Sequence, residues 1–121
     1  MDKGLPKGLF SEAGRVVEAS IAELPVQLRE LALGIPVMLF EKIPSHLIEE
    51  GWEPDLLGLF DGGEDGARSG SARISLFLEN ILAHAGGDRE VFRDEVRITF
   101  LHELGHLLDL EEDDLDARGL G

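Results

Sequence analysis

Residues 88–108 carry the periodicity that most constrains the fold of this 121-residue chain. Apolar side chains recur there with steps of three or four residues from turn to turn, at Phe92, Val96, Phe100, Leu104, Leu107 and Leu108. This spacing is typical of an amphipathic α-helix that packs one face against a core. The segment therefore predicts a long helix, and any fold of the chain must bury its apolar stripe.

The same helix contains two histidines four residues apart, with a glutamate directly after the first, in the sequence HELGH. Residues four apart lie on one helical face, so the imidazoles of His102 and His106 can reach a single metal ion. Glu103 can then act as general base for a water molecule that a zinc ion activates. At about 100° per residue, both histidines fall outside the apolar stripe, beside Thr99 and Glu95. The pattern predicts a metal site on a different surface of the helix from its core face.

A simpler interpretation makes His102 and His106 two surface histidines of an amphipathic helix. That interpretation leaves unexplained both Glu103 between them and the acidic residues that follow the helix. The metal site accounts for both features, because Glu103 can serve as the base and a downstream carboxylate can join the histidines as a ligand.

A third ligand is expected, because a catalytic zinc site takes three protein ligands and leaves one position open. The other histidines, His46 and His84, each stand alone in segments predicted to be exposed. If the helix continues, Asp109 lies one turn beyond the second histidine on the same face. If the chain turns after the helix, a later carboxylate can fold back, while most of the acidic residues cap a short terminal helix at 112–118. The candidates are Asp109, Glu111, Glu112, Asp113, Asp114 and Asp116.

Composition bounds the class of protein. The length predicts one domain over residues 1–121, and the absence of cysteine excludes disulfides and thiolate zinc sites. A net charge of −14 argues against nucleic acid, since phosphate binding depends on lysine and arginine. The longest apolar runs are too short to span a bilayer, and the first residues lack a signal-peptide pattern. We therefore expect a cytoplasmic protein that binds neither membrane nor nucleic acid.

The order of predicted elements indicates an α+β fold. Helices are predicted first, with Ser11 as N-cap of the first one, then a small sheet, and finally the motif helix. The two strands that flank a glycine-rich loop at 61–71 are expected to pair as a hairpin. The predicted helices are 10–24, 25–33, one or two turns at 45–50, and 88–108, and the predicted strands are 35–40, 56–60 and 73–78, with residues 80–85 left ambiguous.

The chain also resembles a known family, the small bacterial zinc metallopeptidases described as minimal zincins. The resemblance covers nearly the whole chain and includes the segments LLGLFDG, ISLF, HELGH and DDL. The family pattern is similar to H-E-x-x-H-x-x-G-x-x-D, in which an acidic third ligand follows the second histidine by six residues. The resemblance therefore implies Glu112 as third ligand, with Asp109 as the runner-up. Asp109 stands where the family has glycine, and aspartate adopts the left-handed turn conformation at some cost.

The resemblance implies a zincin-like fold and a zinc-dependent peptidase with one Zn²⁺ per chain. His102, His106 and Glu112 would hold the metal, Glu103 would be the base, and a peptide or protein substrate would lie along a sheet edge. The edge is expected at strand 56–60 or strand 73–78. The alternative is a metal-binding or interaction module without hydrolytic activity, since fold is implied more firmly than activity. A metal-dependent nuclease is disfavoured by the acidic charge.

Overall fold

The computed structural model describes residues 5–61 and 72–108 of the chain. This part of the chain forms the predicted α+β fold, with five helices and a three-stranded mixed sheet. The elements follow in the order α1 (Leu9–Ala22), α2 (Val26–Leu33), β1 (Val37–Phe40), α3 (Ser45–Glu49), β2 (Gly58–Asp61), β3 (Arg73–Phe77), α4 (Leu78–His84) and α5 (Arg89–Leu107). Of the segment 80–85, which the sequence left ambiguous, residues 80–84 are helical within α4 and Ala85 is the C-cap of that helix. None of the described helices is long and apolar enough to cross a membrane.

The sheet has the strand order β1-β3-β2. Strand β3 pairs in parallel with β1 and antiparallel with β2, so the predicted hairpin is confirmed. Because β3 lies in the centre, the prediction that strand 73–78 could provide a free edge is wrong. Strand β3 also ends one residue earlier than predicted, because Leu78 is the first residue of α4, where its side chain is fully buried.

One face of the sheet packs against α5, and α1 lies against the same helix. Ile74 and Leu76 of β3 are fully buried on this face. The predicted apolar stripe of α5 is confirmed, because five of its six members are buried and Leu108 is partly buried. Burial of these side chains contributes roughly 1.5–3 kcal/mol each, which fixes the rotation of the helix about its axis.

Helix α1 begins before the predicted N-cap Ser11. Gly8 precedes the first helical residue with φ of 83°, a left-handed conformation that glycine adopts without strain. Leu9, the first residue of the helix, is completely buried in the core. Serine is a favoured N-cap residue, but with Leu9 buried in the core the N-cap lies three residues earlier, at Gly8.

Candidate metal centre

The N-terminal half of α5 is fixed by a cap. The side chain of Asp88 accepts a hydrogen bond of 3.0 Å from the backbone N–H of Val91. This satisfies one of the donors that a helix leaves without partners at its start. The helix therefore begins at Arg89, close to the predicted residue.

Helix α5 is also linked to α1 through Glu12. Arg89 Nη2 lies 2.8 Å from Glu12 Oε2, and Arg93 Nη1 lies 3.1 Å from Glu12 Oε1. The hydrogen bond from Arg89 lowers the pKa of Glu12 most, Arg93 lowers it further, and partial burial opposes both. The glutamate is therefore held in its charged form between two arginines, which keeps the two helices in register.

At the other end of α5, the two motif histidines face each other outside the core. His102 Nε2 and His106 Nε2 are 2.9 Å apart, and the ring planes meet at 80°. Two nitrogens bound to one tetrahedral zinc at about 2.0–2.1 Å would be about 3.3 Å apart. The pair already holds its Nε2 atoms at nearly that separation, so its geometry and chemistry fit a shared zinc ion.

Glu103 differs from the two histidines in its surroundings, because it is partly buried while both rings are exposed. Burial raises the pKa of the Glu103 carboxyl above its usual value, and the neighbouring His102 and His106 partly offset that rise. A carboxylate with a raised pKa is a stronger base than one in water. The residue is thus suited to accept a proton beside the histidine pair.

Two residues of strand β2, Phe60 and Gly58, lie against α5. The rings of Phe60 and His106 are almost parallel, at 6°, with centroids 6.1 Å apart. Two residues before Phe60, on the same side of the strand, Gly58 lies against Thr99, where an added Cβ would be 2.8 Å from the Thr99 methyl. Thr99 is buried at this contact, although the helical pattern placed it outside the apolar stripe.

Sequence reasoning missed Phe60 and Gly58 as parts of the site. The signal available was the alternation of side chains along the strand predicted at 56–60, which places residues 58 and 60 on one face. That alternation does not reveal which helix the face meets. The contact became visible only once β2 and α5 were placed together.

Among residues 5–61 and 72–108, no group of three histidine, aspartate or glutamate side chains is close enough to hold a metal. Asp109 and Glu112, the predicted third ligands, lie outside the described residues, as does the terminal helix predicted at 112–118. His84 is exposed and lies 3.6 Å from Glu95, and His46 is exposed on α3. Both were predicted as surface histidines, and the structure confirms this.

A long helix with an H-E-x-x-H pair, beside a strand of a small mixed sheet, defines the zincin class of protein. The family model for zincin-like metallopeptidases matches residues 34–121, which is most of the chain and includes β1–β3 and the motif helix. The chain therefore belongs to the zincin-like metallopeptidase family, and the family implies zinc as cofactor. No curated protein matches the chain.

Proposed function

We propose that the protein is a zinc-dependent peptidase in which His102 and His106 hold the metal and Glu103 acts as general base. The third ligand in this proposal is Glu112, with Asp109 as runner-up, and one zinc ion binds per chain. The observation that carries the proposal is the convergence of the two Nε2 atoms to 2.9 Å beside a carboxyl of raised pKa. A structural pair of surface histidines needs neither feature.

Bound zinc would polarise the scissile carbonyl and lower the pKa of a water molecule. The carboxylate of Glu103 takes a proton as the oxygen of the attacking water bonds to the carbonyl carbon. The peptide C–N bond then breaks, and the protonated carboxyl of Glu103 can return the proton to the leaving amine. Burial raises the pKa of the Glu103 carboxyl, which makes its carboxylate a stronger base for the first of these transfers.

Strand β2 provides the sheet edge for an extended substrate. The N–H of Phe77 donates to the carbonyl of Leu57 at 3.0 Å, which fixes the hydrogen-bonding alternation along the β2–β3 pair. Leu59 and Asp61 then direct their backbone groups to β3, and Gly58 and Phe60 direct theirs away from it. These two residues also face α5, so a peptide paired with them would lie beside the histidines.

The substrate in this proposal is a peptide or protein, and neither nucleic acid nor membrane takes part. The net charge of −14 supports this, because it disfavours phosphate backbones. Within the part of the chain that the structure describes, the backbone groups of Gly58 and Phe60 point away from β3 at the sheet edge, and they match the hydrogen-bonding pattern of an extended peptide. A cytoplasmic location remains part of the proposal.

The test compares wild-type protein with Glu103→Gln on a diverse peptide library, with zinc content measured for both. The glutamine cannot accept the proton, so hydrolysis should fall by roughly 10²–10⁴-fold while zinc content stays the same. Glu95→Gln is the matched control, because Glu95 is a partly buried glutamate about two turns earlier on the same helix. The control should hydrolyse peptides like the wild type.

Equal hydrolysis by the wild type and Glu103→Gln would contradict the mechanism. Absence of hydrolysis across the whole library, with zinc bound, would instead favour a non-catalytic metal-binding module on the same fold. Loss of zinc from Glu103→Gln would make Glu103 a ligand and not the base.

A further inference from the structure

The ring of Phe60 lies beside the histidine pair. Its plane is within 6° of the plane of the His106 imidazole, and the two ring centroids are 6.1 Å apart. Aromatic pairs in proteins favour centroid separations of about 4.5–7 Å, in offset stacks or in edge-to-face arrangements. Phe60 and His106 form such an offset stack, so the phenylalanine ring stabilises one orientation of the imidazole plane.

The plane of the His106 ring decides from which direction this residue can bind a metal ion. The lone pair of an imidazole nitrogen lies in the ring plane, so a metal must approach Nε2 within that plane. The torsion between Cβ and a histidine ring is broad, and an exposed imidazole can therefore sample many planes. His106 is exposed, and its ring meets that of His102 at 80° with the Nε2 atoms 2.9 Å apart. A contact that fixes the plane preserves this arrangement.

Phe60 reaches His106 because strand β2 runs close to α5. Gly58, on the same side of the strand, lies against Thr99, and an added Cβ at position 58 would be 2.8 Å from the Thr99 methyl. Thr99 and His106 are about two helical turns apart, on the same side of α5. Strand β2 thus follows the side of the helix that carries His106, and the absence of a side chain at Gly58 allows the close approach.

The backbone of β2 is also held from the side of the sheet and α4. The side chain of Asn80 in α4 donates hydrogen bonds to the carbonyls of Pro54 and Leu56, at 2.9 Å and 2.8 Å, shortly before the strand begins. At the other end of the strand, Arg73 Nε lies 3.1 Å from Asp61 Oδ1. The phenylalanine ring therefore extends from a strand that is held at both ends, and it can restrain an exposed imidazole.

We infer that Phe60 is a positioning residue of the metal centre: its ring fixes the imidazole plane of His106 and so directs Nε2 of that residue to the zinc ion. The inference rests on the proposed function, which assigns zinc to His102 and His106. It goes beyond that function because Phe60 neither binds the metal nor transfers a proton. Histidine ligands are usually oriented by a hydrogen-bonding partner outside the metal shell, and here an aromatic ring contributes to that role.

The first experiment measures zinc affinity in Phe60→Leu and Phe60→Tyr by competition with a chromogenic chelator. Leucine keeps an apolar side chain but has no ring, so zinc binding should weaken by roughly 2–10-fold, the contribution of one aromatic pair. Tyrosine keeps the ring and should restore the affinity to within about twofold of wild type. The matched control is Phe40→Leu, which removes a partly buried ring of β1 that packs on Phe77 at 5.9 Å between centroids. It should leave zinc affinity unchanged.

The second experiment asks whether Phe60 acts through His106. Phe60→Leu is combined with His106→Ala and, separately, with His102→Ala, and the weaker zinc binding of these proteins is followed by NMR on ¹⁵N-labelled protein. The loss caused by Phe60→Leu should disappear with His106→Ala, because the ring that Phe60 orients is gone, and should persist with His102→Ala. A purely structural effect of Phe60 would appear in both backgrounds. Thermal unfolding checks that each variant is folded, and Phe60→Met replaces Phe60→Leu if leucine prevents folding.

The outcomes separate this inference from the proposed function. Wild-type affinity in Phe60→Leu, a Phe60→Tyr protein as weak as Phe60→Leu, or an equal loss in the His106→Ala background would overturn the positioning role and leave the peptidase intact. Zinc affinity that neither histidine substitution changes would overturn both. The predicted pattern of affinities in a protein that hydrolyses no peptide would support the positioning role and overturn the catalytic proposal.

Discussion

The two halves of α5 differ in what their polar side chains contact. In the first half, Asp88 caps the helix and Arg89 and Arg93 bind Glu12 of α1. In the second half, the hydrogen-bonding contact that the described residues give His102 and His106 is the one between their own Nε2 atoms. The first half fixes the helix to its neighbours, and the second half exposes the two imidazoles on which the proposed metal site depends.

The difference shows how one helix can combine stability with chemistry. Packed side chains and ion pairs near the N-terminus hold the helix axis, so the histidines two turns further on need no ion pairs of their own. The second half can then expose the two histidines that the proposed function assigns to zinc. Substitutions in the two halves should accordingly affect different properties.

The largest effect is expected from the histidines themselves. His102→Ala or His106→Ala should weaken zinc binding by more than about 100-fold. Residues that only hydrogen-bond to a metal ligand contribute about 10–100-fold, and a side chain that binds the metal directly contributes more. Competition titration with a chromogenic chelator measures the affinity. His84→Ala is the control, since that histidine is exposed and paired with Glu95. Wild-type zinc affinity in either His102→Ala or His106→Ala would show that the metal site is not on this helix.

The next largest effect, on stability, is expected where Gly58 of β2 lies against Thr99, between the two halves of α5. Gly58→Ala places a Cβ 2.8 Å from the Thr99 methyl and 3.2 Å from the Ser75 carbonyl oxygen, so β2 or α5 must shift. The free energy of unfolding should fall by about 1–3 kcal/mol, measured by urea denaturation. Gly14→Ala is the contrasting variant, because nothing lies within 4 Å of its Cβ inside α1. The free energy of unfolding of Gly14→Ala should rise by about 0.5–1 kcal/mol. A neutral Gly58→Ala would contradict the close contact.

A smaller, pH-dependent effect is expected at Glu12. The arginines lower its pKa in the folded protein, so its contribution to stability is present above the unfolded pKa of about 4.3 and is lost as pH falls through the folded pKa. Glu12→Gln should cost about 1 kcal/mol at pH 7 and much less in strong acid, with zinc affinity unchanged. Thermal unfolding across pH measures this. A cost that does not depend on pH would contradict the ion pair as its source.

The smallest effect is expected at the cap. Asp88→Ala should reduce the free energy of unfolding by about 0.5–1 kcal/mol, and Asp88→Asn by less, because asparagine also accepts from the Val91 N–H. Chemical denaturation resolves the two variants. Equal losses would indicate that charge at the helix start matters more than the hydrogen bond.

Local patterns predicted α5 well, because its apolar period and its H-E-x-x-H motif lie within one segment. Its bounds and the exposure of both histidines agree with the sequence. The predictions failed where distant parts of the chain meet. The burial of Leu9 shifted the start of α1, and the parallel pairing of β1 placed β3 in the centre of the sheet.

The candidate site shows the same division. Spacing predicted that His102, Glu103 and His106 act together, and the structure brings the two imidazoles together and partly buries the carboxyl between them. It could not predict the ring of Phe60 against His106, since that contact depends on how β2, at the edge of the sheet, packs against α5. The choice between Glu112 and Asp109 remains a prediction.

The most direct measurement for the central claim is a crystal structure of the Glu103→Gln protein grown with zinc. We expect one zinc ion per chain at about 2.0–2.1 Å from the Nε2 atoms of His102 and His106, and at about 2.0–2.2 Å from a carboxylate oxygen of Glu112. An Asp109 oxygen in that place would change only the third ligand. Zinc bound elsewhere, or bound to the two histidines with water alone completing its shell, would contradict the account.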